Sequence, residues 1–71
     1  MLDLLEVGKR CKRLRKCLKL NQSDVAEQLG YSPQMVSQFE NGQANNAVIL
    51  LWYIDNGLSL SGRGNNYGKT P

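Results

Sequence analysis

The chain has 71 residues and a net charge of +3, which allows one small domain whose core gives only marginal stability. It contains no histidine and only six acidic residues, so general acid–base catalysis has little to work with, and no cluster has zinc-site spacing. We therefore expect a binding protein rather than an enzyme, with no metal and no cofactor.

The first predicted element is an amphipathic basic helix. Apolar residues recur at helical spacing at Leu4, Val7, Cys11, Leu14 and Leu18. Seven of the nine basic residues lie between Lys9 and Lys19, and those expected to face water are Lys9, Arg10, Lys12, Arg13 and Lys16. Taken alone, such a basic run is usually a solvated helix face and, more rarely, a helix that lies on a membrane surface. Beside the motif that follows it, phosphate contact by part of the run is the better interpretation.

Residues 21–42 have the pattern of two short helices joined by a tight turn. Asn21 can accept hydrogen bonds from the amides that open the first helix, and Asp24 completes a capping box. Gly30 follows where a left-handed C-cap needs a residue without a Cβ atom. The small side chain of Ala26 allows the two helices to cross closely.

The second short helix is predicted to begin after Ser32, with Pro33 in its first position, and to stop at Asn41-Gly42. Val36 and Phe39 form its inward pair. Its outer side carries Gln34, Ser37, Gln38 and Asn41. A glutamine amide can donate to and accept from adenine in one planar contact, so this side suits a DNA major groove.

These segments resemble the Cro/C1-type (XRE-like) helix-turn-helix family of phage and bacterial regulators over about residues 7–58. The matching stretches are VGKRCKRLR, LNQ…VAEQLG and SPQMVSQFENG. The resemblance implies an all-α fold, a small four- to five-helix bundle of the lambda-repressor-like type, which we assign to residues 1–60. It also implies an ion pair between Arg15 and Glu40 that joins the first and third helices, with phosphate contact as a secondary role for Arg15.

The resemblance further implies which residues meet DNA. Gln34 and Gln38 match base-reading positions, and Ser37 shares their side of the helix. The predicted phosphate contacts are Asn21, Gln22, Ser32, Asn41 and Gln43. Two of these, Gln22 and Ser32, also lie at helix N-termini, where amide groups and the helix dipole favour a phosphate.

The run Ala47–Ile54 has eight consecutive apolar residues and is far too short to cross a bilayer as a helix. One face, with Ile49, Trp52 and Tyr53, should close the core. The remaining apolar residues cannot all face inward, although a small domain can bury most of such a helix. We favour a homodimer interface, for which the candidates are Leu50, Leu51, Ile54 and Leu58. A two-fold dimer would place two reading helices about 34 Å apart on a palindromic site.

The two cysteines, Cys11 and Cys17, are six residues apart on one predicted helix and cannot easily form a disulfide with each other. Cys11 is expected to be buried, and a reducing cytoplasm suits both. The Gly- and Asn-rich segment 61–71 is expected to be a disordered tail. An inert terminus is a better interpretation of this segment than a DNA-binding arm built on Arg63, Tyr67 and Lys69.

Two functional hypotheses follow from the sequence. The first is a sequence-specific regulator of transcription, such as a repressor, that binds double-stranded DNA. The alternative is a protein-binding module, such as an antitoxin or an inhibitor, that uses the apolar helix 47–54 on another protein.

Overall fold

The computed structural model describes residues 3–60, which form four helices and no strand. The helices are α1 (Leu4–Cys17), α2 (Gln22–Leu29), α3 (Pro33–Glu40) and α4 (Ala47–Asp55). The expected all-α bundle is confirmed, with four helices in this range rather than five. No helix in the described range has the length and apolar character needed to cross a membrane. The proposed tail, 61–71, lies outside the described residues.

The sequence signals for helix starts correspond to hydrogen bonds. The side chain of Asn21 accepts from the amide of Asp24 at 2.8 Å, and Asp24 accepts from the amide of Asn21 at 2.9 Å, which is a capping box. Ser32 caps α3 and Pro33 occupies its first turn. Asn46 caps α4 by accepting from two amides of its first turn. Asp3 caps α1 in the same way by accepting from the amide of Glu6 at 2.8 Å, so local chemistry fixes where all four described helices begin.

Helix ends also follow local rules. Gly30 caps α2 with φ 74°, a left-handed conformation in which a Cβ atom is unfavourable. Gly42 has the same φ just after α3. Helices α2 and α3 form the two-helix unit expected from the sequence. This unit packs on α1, and α4 closes the bundle.

A single core joins all four helices. Its buried apolar members are Cys11, Val25, Ala26, Val36, Phe39, Ile49, Tyr53 and Leu58. Two members of the predicted α1 stripe are exposed instead, because Leu4 and Leu18 lie at the ends of the helix, beyond the reach of the core. Trp52, expected to close the core, is only half-buried.

Leu58 was predicted at a dimer interface, and this prediction is wrong. The chain turns back after α4 through Gly57, and the amide of Leu58 donates to the Tyr53 carbonyl at 2.9 Å. Leu58 is therefore buried in the core of its own chain, with 7 % of its surface exposed. Leu50, another candidate, is half-buried against the same core. Of the four candidates, only Leu51 and Ile54 remain well exposed.

Arg10 was expected to face water with the other basic residues of α1, but it is buried. Its Nε lies 3.3 Å from Oε2 of Glu6, one turn earlier, and its Nη1 donates to the carbonyl of Ser59 at 3.2 Å. The long aliphatic part of arginine can cover apolar surface while its head finds polar partners. Arg10 thus holds the segment after α4 against α1.

Gly8 allows the closest backbone approach between α1 and α3. A Cβ atom at this position would lie 2.2 Å from the backbone oxygen of Glu40 and 2.9 Å from that of Phe39. No side chain fits in that space, so glycine is required although it is a poor helix former. The contact sets the distance between α1 and the C-terminal end of α3.

We predict that Gly8→Ala destabilises the domain by about 3 kcal/mol, because the added methyl group must push two backbones apart. A loss of stability would be diagnostic of the close packing, because Gly→Ala inside a helix otherwise stabilises a protein by about 0.5–1 kcal/mol. Gly30→Ala is the control: its Cβ meets open space and only the positive φ costs energy, about 1–2 kcal/mol. Urea unfolding measures both, and a Gly8→Ala variant as stable as the parent would contradict the close packing.

Candidate DNA-binding surface

The outer side of α3 carries the polar residues expected to read bases. Val36 and Phe39 are buried and thereby orient the helix. Gln34 is exposed at its N-terminal end, and Gln38 is half-buried one turn later. Asn41, just after the helix, donates from Nδ2 to Oγ of Ser37 at 3.3 Å, and this links two of the four polar residues on this side.

A buried carboxylate fixes the C-terminal end of α3. Glu40 is 2 % exposed and accepts two hydrogen bonds from Arg15 on α1, Nε to Oε2 at 2.8 Å and Nη2 to Oε1 at 3.0 Å. This is the ion pair that the resemblance implied, in bidentate form. A third donor of Arg15, Nη1, reaches the carbonyl of Leu20 at 2.9 Å, so the guanidinium also holds the α1–α2 connection.

Two further donors complete the set around Glu40. The hydroxyl of Tyr53 on α4 donates to Oε2, and Nε2 of Gln22 on α2 donates to Oε1 at 3.2 Å. The carboxylate of α3 therefore has a partner on each of the other three helices. Within residues 3–60, no buried side-chain nitrogen or oxygen lacks a hydrogen-bond partner.

Protonation in this network follows from burial and hydrogen bonding. Burial alone raises the pKa of Glu40, but hydrogen bonds from Arg15, Tyr53 and Gln22 outweigh it and hold that pKa below its usual 4.5. Burial, reinforced by Glu40, raises the pKa of the Tyr53 hydroxyl far above its ordinary value. The same causes raise the pKa of the Cys11 thiol to about 12. At neutral pH, Glu40 is therefore charged while Tyr53 keeps the proton that it donates.

Comparison with known proteins identifies the family to which this chain belongs. A helix-turn-helix family model matches residues 12–48, just over half of the chain. The chain belongs to the Cro/C1-type helix-turn-helix family. It is 36 % identical over 55 residues to an uncharacterized HTH-type transcriptional regulator of Sinorhizobium fredii, and the match covers 78 % of this chain and 71 % of that protein.

Eukaryotic proteins are also similar to this chain. Endothelial differentiation-related factor 1 of Rattus norvegicus is 39 % identical over 67 residues, which cover 92 % of this chain and 44 % of that protein. Multiprotein-bridging factor 1 of Debaryomyces hansenii is 31 % identical over 65 residues, which cover 92 % of this chain and 43 % of that protein. The chain thus spans less than half the length of these relatives. No solved structure matches it significantly.

The five residues predicted to contact phosphates fall at three places on the helix-turn-helix unit. Asn21 and Gln22 lie at the start of α2, Ser32 caps α3, and Asn41 and Gln43 follow the end of α3. The Glu40 network brings Gln22 to the C-terminal end of α3. Ser32 lies at the other end of the helix, about 12 Å along its axis. The side-chain oxygens of Asn21 and Ser32 already cap helices.

Three residues that help to position α3 were not recognised as doing so from the sequence. Gly8 gave no signal beyond an unfavourable residue in a predicted helix. Tyr53 was expected in the core as an apolar residue, and its hydroxyl was not paired with Glu40. A buried tyrosine usually needs a hydrogen-bond partner, and that rule could have identified the pair. Gln22 was assigned to phosphate alone, yet it also bonds Glu40.

We predict that Tyr53→Phe costs about 1.5–3 kcal/mol, because it removes a hydrogen bond to a charged group. Since folding lowers the pKa of Glu40, the stability from its charge is complete above the usual value of 4.5 and is lost as the pH falls through the lowered value. Loss of the Tyr53 donor raises the pKa of Glu40, so the acid loss begins at a higher pH.

Urea unfolding and carbon NMR titration of the Glu40 carboxyl measure the two effects. Tyr31→Phe is the matched control, because Tyr31 is half-buried but forms no side-chain hydrogen bond with Glu40. A Glu40 pKa that is the same in the parent and in Tyr53→Phe would contradict the proposed role of the hydroxyl.

Proposed function

We propose that this chain binds specific sequences of double-stranded DNA through the outer side of α3 and represses transcription there. The observation that carries the proposal is the combination of outward Gln34 and Gln38 with the inward anchor Glu40 on the same eight-residue helix. Family membership supports DNA binding, and the relative from Sinorhizobium fredii is named as a transcriptional regulator. We assign repression because occupancy of a promoter is sufficient for it.

Selectivity is assigned to the residues that can reach base edges. The amide of a glutamine can contact N6 and N7 of adenine together, and each such pair discriminates by about 1–3 kcal/mol. Ser37, between the two glutamines, can donate to or accept from several bases and adds less selectivity. Phosphate contacts by Gln22, Asn41 and Gln43, with helix-end amides, would fix the position of α3 without reading sequence.

We predict that Gln38→Ala weakens binding to the preferred duplex by about 1–3 kcal/mol and relaxes the preference at one base position. Gln34→Ala should do the same at a different position. The preferred duplex is first selected from a random pool at about 150 mM salt, where purely electrostatic binding is weak. The selection is then repeated with each variant.

Gln28→Ala is the matched control, because Gln28 is a glutamine that lies on α2 and not on the outer side of α3. Its side chain accepts a hydrogen bond from Trp52. It should leave the selected sequence unchanged. Equal loss of affinity for preferred and unrelated duplexes in Gln38→Ala would contradict the assignment of base reading. Failure of the parent chain to enrich any sequence would contradict the proposed function itself.

The proposed regulator acts as a homodimer through the outer face of α4. Val48, Leu51 and Ile54 are exposed to 48 %, 62 % and 41 %, and the only charge on this helix is Asp55 at its end. Because each side chain is already about half-buried, the six from two copies would each gain only roughly half of the 1.5–3 kcal/mol that full burial of an exposed apolar side chain offers. Association itself costs an estimated 4–15 kcal/mol, so the free dimer is weak and two adjacent half-sites on DNA favour it.

We predict that Leu51→Lys abolishes cooperative binding to a duplex with two half-sites while affinity for one half-site is unchanged. The cause is a charge placed at the centre of the apolar contact. Leu18→Lys is the control, since Leu18 is an exposed leucine at the end of α1, where a cation suits the helix dipole. Gel-shift titrations on both duplexes measure the effect, and cooperativity retained in Leu51→Lys would exclude this interface.

A second candidate function has a specific observation in its favour. Several relatives are eukaryotic proteins, and one of these is named a multiprotein-bridging factor. The apolar face of α4 is also suited to another protein. In this alternative the helix-turn-helix domain is a protein-binding module. A chain that is monomeric in solution and selects no DNA sequence would favour it.

A further inference from the structure

A separate basic face runs along α1, away from the core. It consists of Lys9, Lys12, Arg13 and Lys16, all exposed and spread over about 10 Å of helix. A shallow, open depression of about 290 Å³ lies among these four side chains. The other two arginines of α1, Arg10 and Arg15, are buried and bonded within the fold, so the basic residues of this helix divide into a structural set and an exposed set.

The exposed set has no counter-charge among residues 3–60. Within the described part of the chain, the two salt bridges are Arg10–Glu6 and Arg15–Glu40, and none of the four exposed cations has an acidic partner. Glu6, the acidic residue of the first turn, is engaged by Arg10. The face is therefore uncompensated positive charge rather than one side of a network of surface ion pairs.

This arrangement lowers the stability of the helix on which it lies. Its members are neighbours three or four residues apart, in the pairs 9–12, 9–13, 12–16 and 13–16. Like charges at these spacings repel across the helix surface and destabilise it. A solvated helix face normally mixes the two signs, whereas this face is stabilised only when an external anion approaches it.

We propose that this basic face of α1 is a second nucleic-acid contact, which binds the phosphate backbone without reading sequence. It deepens the proposed DNA-binding function and is separate from the outer side of α3. An extended row of cations around an open depression suits a chain of phosphates better than one enclosed anion. Lysine predominates, and its flexible point charge suits phosphates at variable positions, whereas a fixed carboxylate is better held by the planar fork of arginine.

The test compares variants that separate local charge from net charge. Lys12→Gln/Lys16→Gln removes two cations of the basic face. A charge-restored variant adds Glu27→Gln and Asp55→Asn, both at exposed sites outside α1, and returns the net charge to +3. Binding to a duplex of unrelated sequence is measured from about 50 to 200 mM salt, a range over which phosphate contacts weaken strongly.

We predict that both variants reduce the slope of log K against log salt by about 1.8, which corresponds to two lost phosphate contacts. Their thermal midpoints should be unchanged or higher, because repulsion within α1 is relieved. The sequence selected by the parent chain should also be selected by both variants. Gln38→Ala, by contrast, should keep the parent slope on unrelated DNA.

Two results would overturn the inference. One is a charge-restored variant that binds unrelated DNA as the parent does, since net charge would then explain the attraction. The other is competition by poly-glutamate as strong as that by DNA at equal charge concentration, which would indicate an acidic protein partner. The proposed regulator fails on a different result, the absence of sequence selection by the parent chain, so the two failures are distinguishable.

Discussion

The buried carboxylate of Glu40 is the interaction on which the arrangement of the four helices depends. It lies at the end of the proposed reading helix and accepts two hydrogen bonds from Arg15 on α1 and one each from Gln22 on α2 and Tyr53 on α4. A charge in a small core is tolerated only when every lone pair is used, because removing it from water is costly. The carboxylate therefore requires all three partners in place and excludes packings that lack one.

This constraint matters because α3 is too short to be stable alone. An isolated helix of eight residues is not stable in water, so its position must come from tertiary contacts. Val36 and Phe39 bury one side by packing, which is tolerant of small rotations. Glu40 adds directional bonds that fix rotation about the helix axis, and the backbone contact at Gly8 fixes its distance from α1. The outward side chains are thereby placed without bonds of their own to the core.

The parts of the fold that were predictable from sequence are those with local causes. Capping at Asn21 and Ser32 and the left-handed turn at Gly30 depend on a few neighbouring residues, and each was located correctly. Burial of Arg10 and Leu58 was missed, because both depend on the chain turning back after α4 onto α1. No periodicity in the sequence indicates that the chain turns back after α4. Whether a residue contacted by the returning segment is buried or exposed therefore cannot be predicted from helical spacing alone.

The same division applies to the candidate site. The outer side of α3 was readable from helical spacing, whereas the partners of Glu40 from α2 and α4 were not, since they come together only in the folded domain. Folding also sorts the basic residues of α1, because Arg15 is used inward while Lys12 and Lys16 remain outside. One helix thus supplies both the anchor that orients α3 and the exposed charge proposed to contact phosphates. None of the exposed lysines donates a hydrogen bond to Glu40, so they can change without removing a bond to this carboxylate.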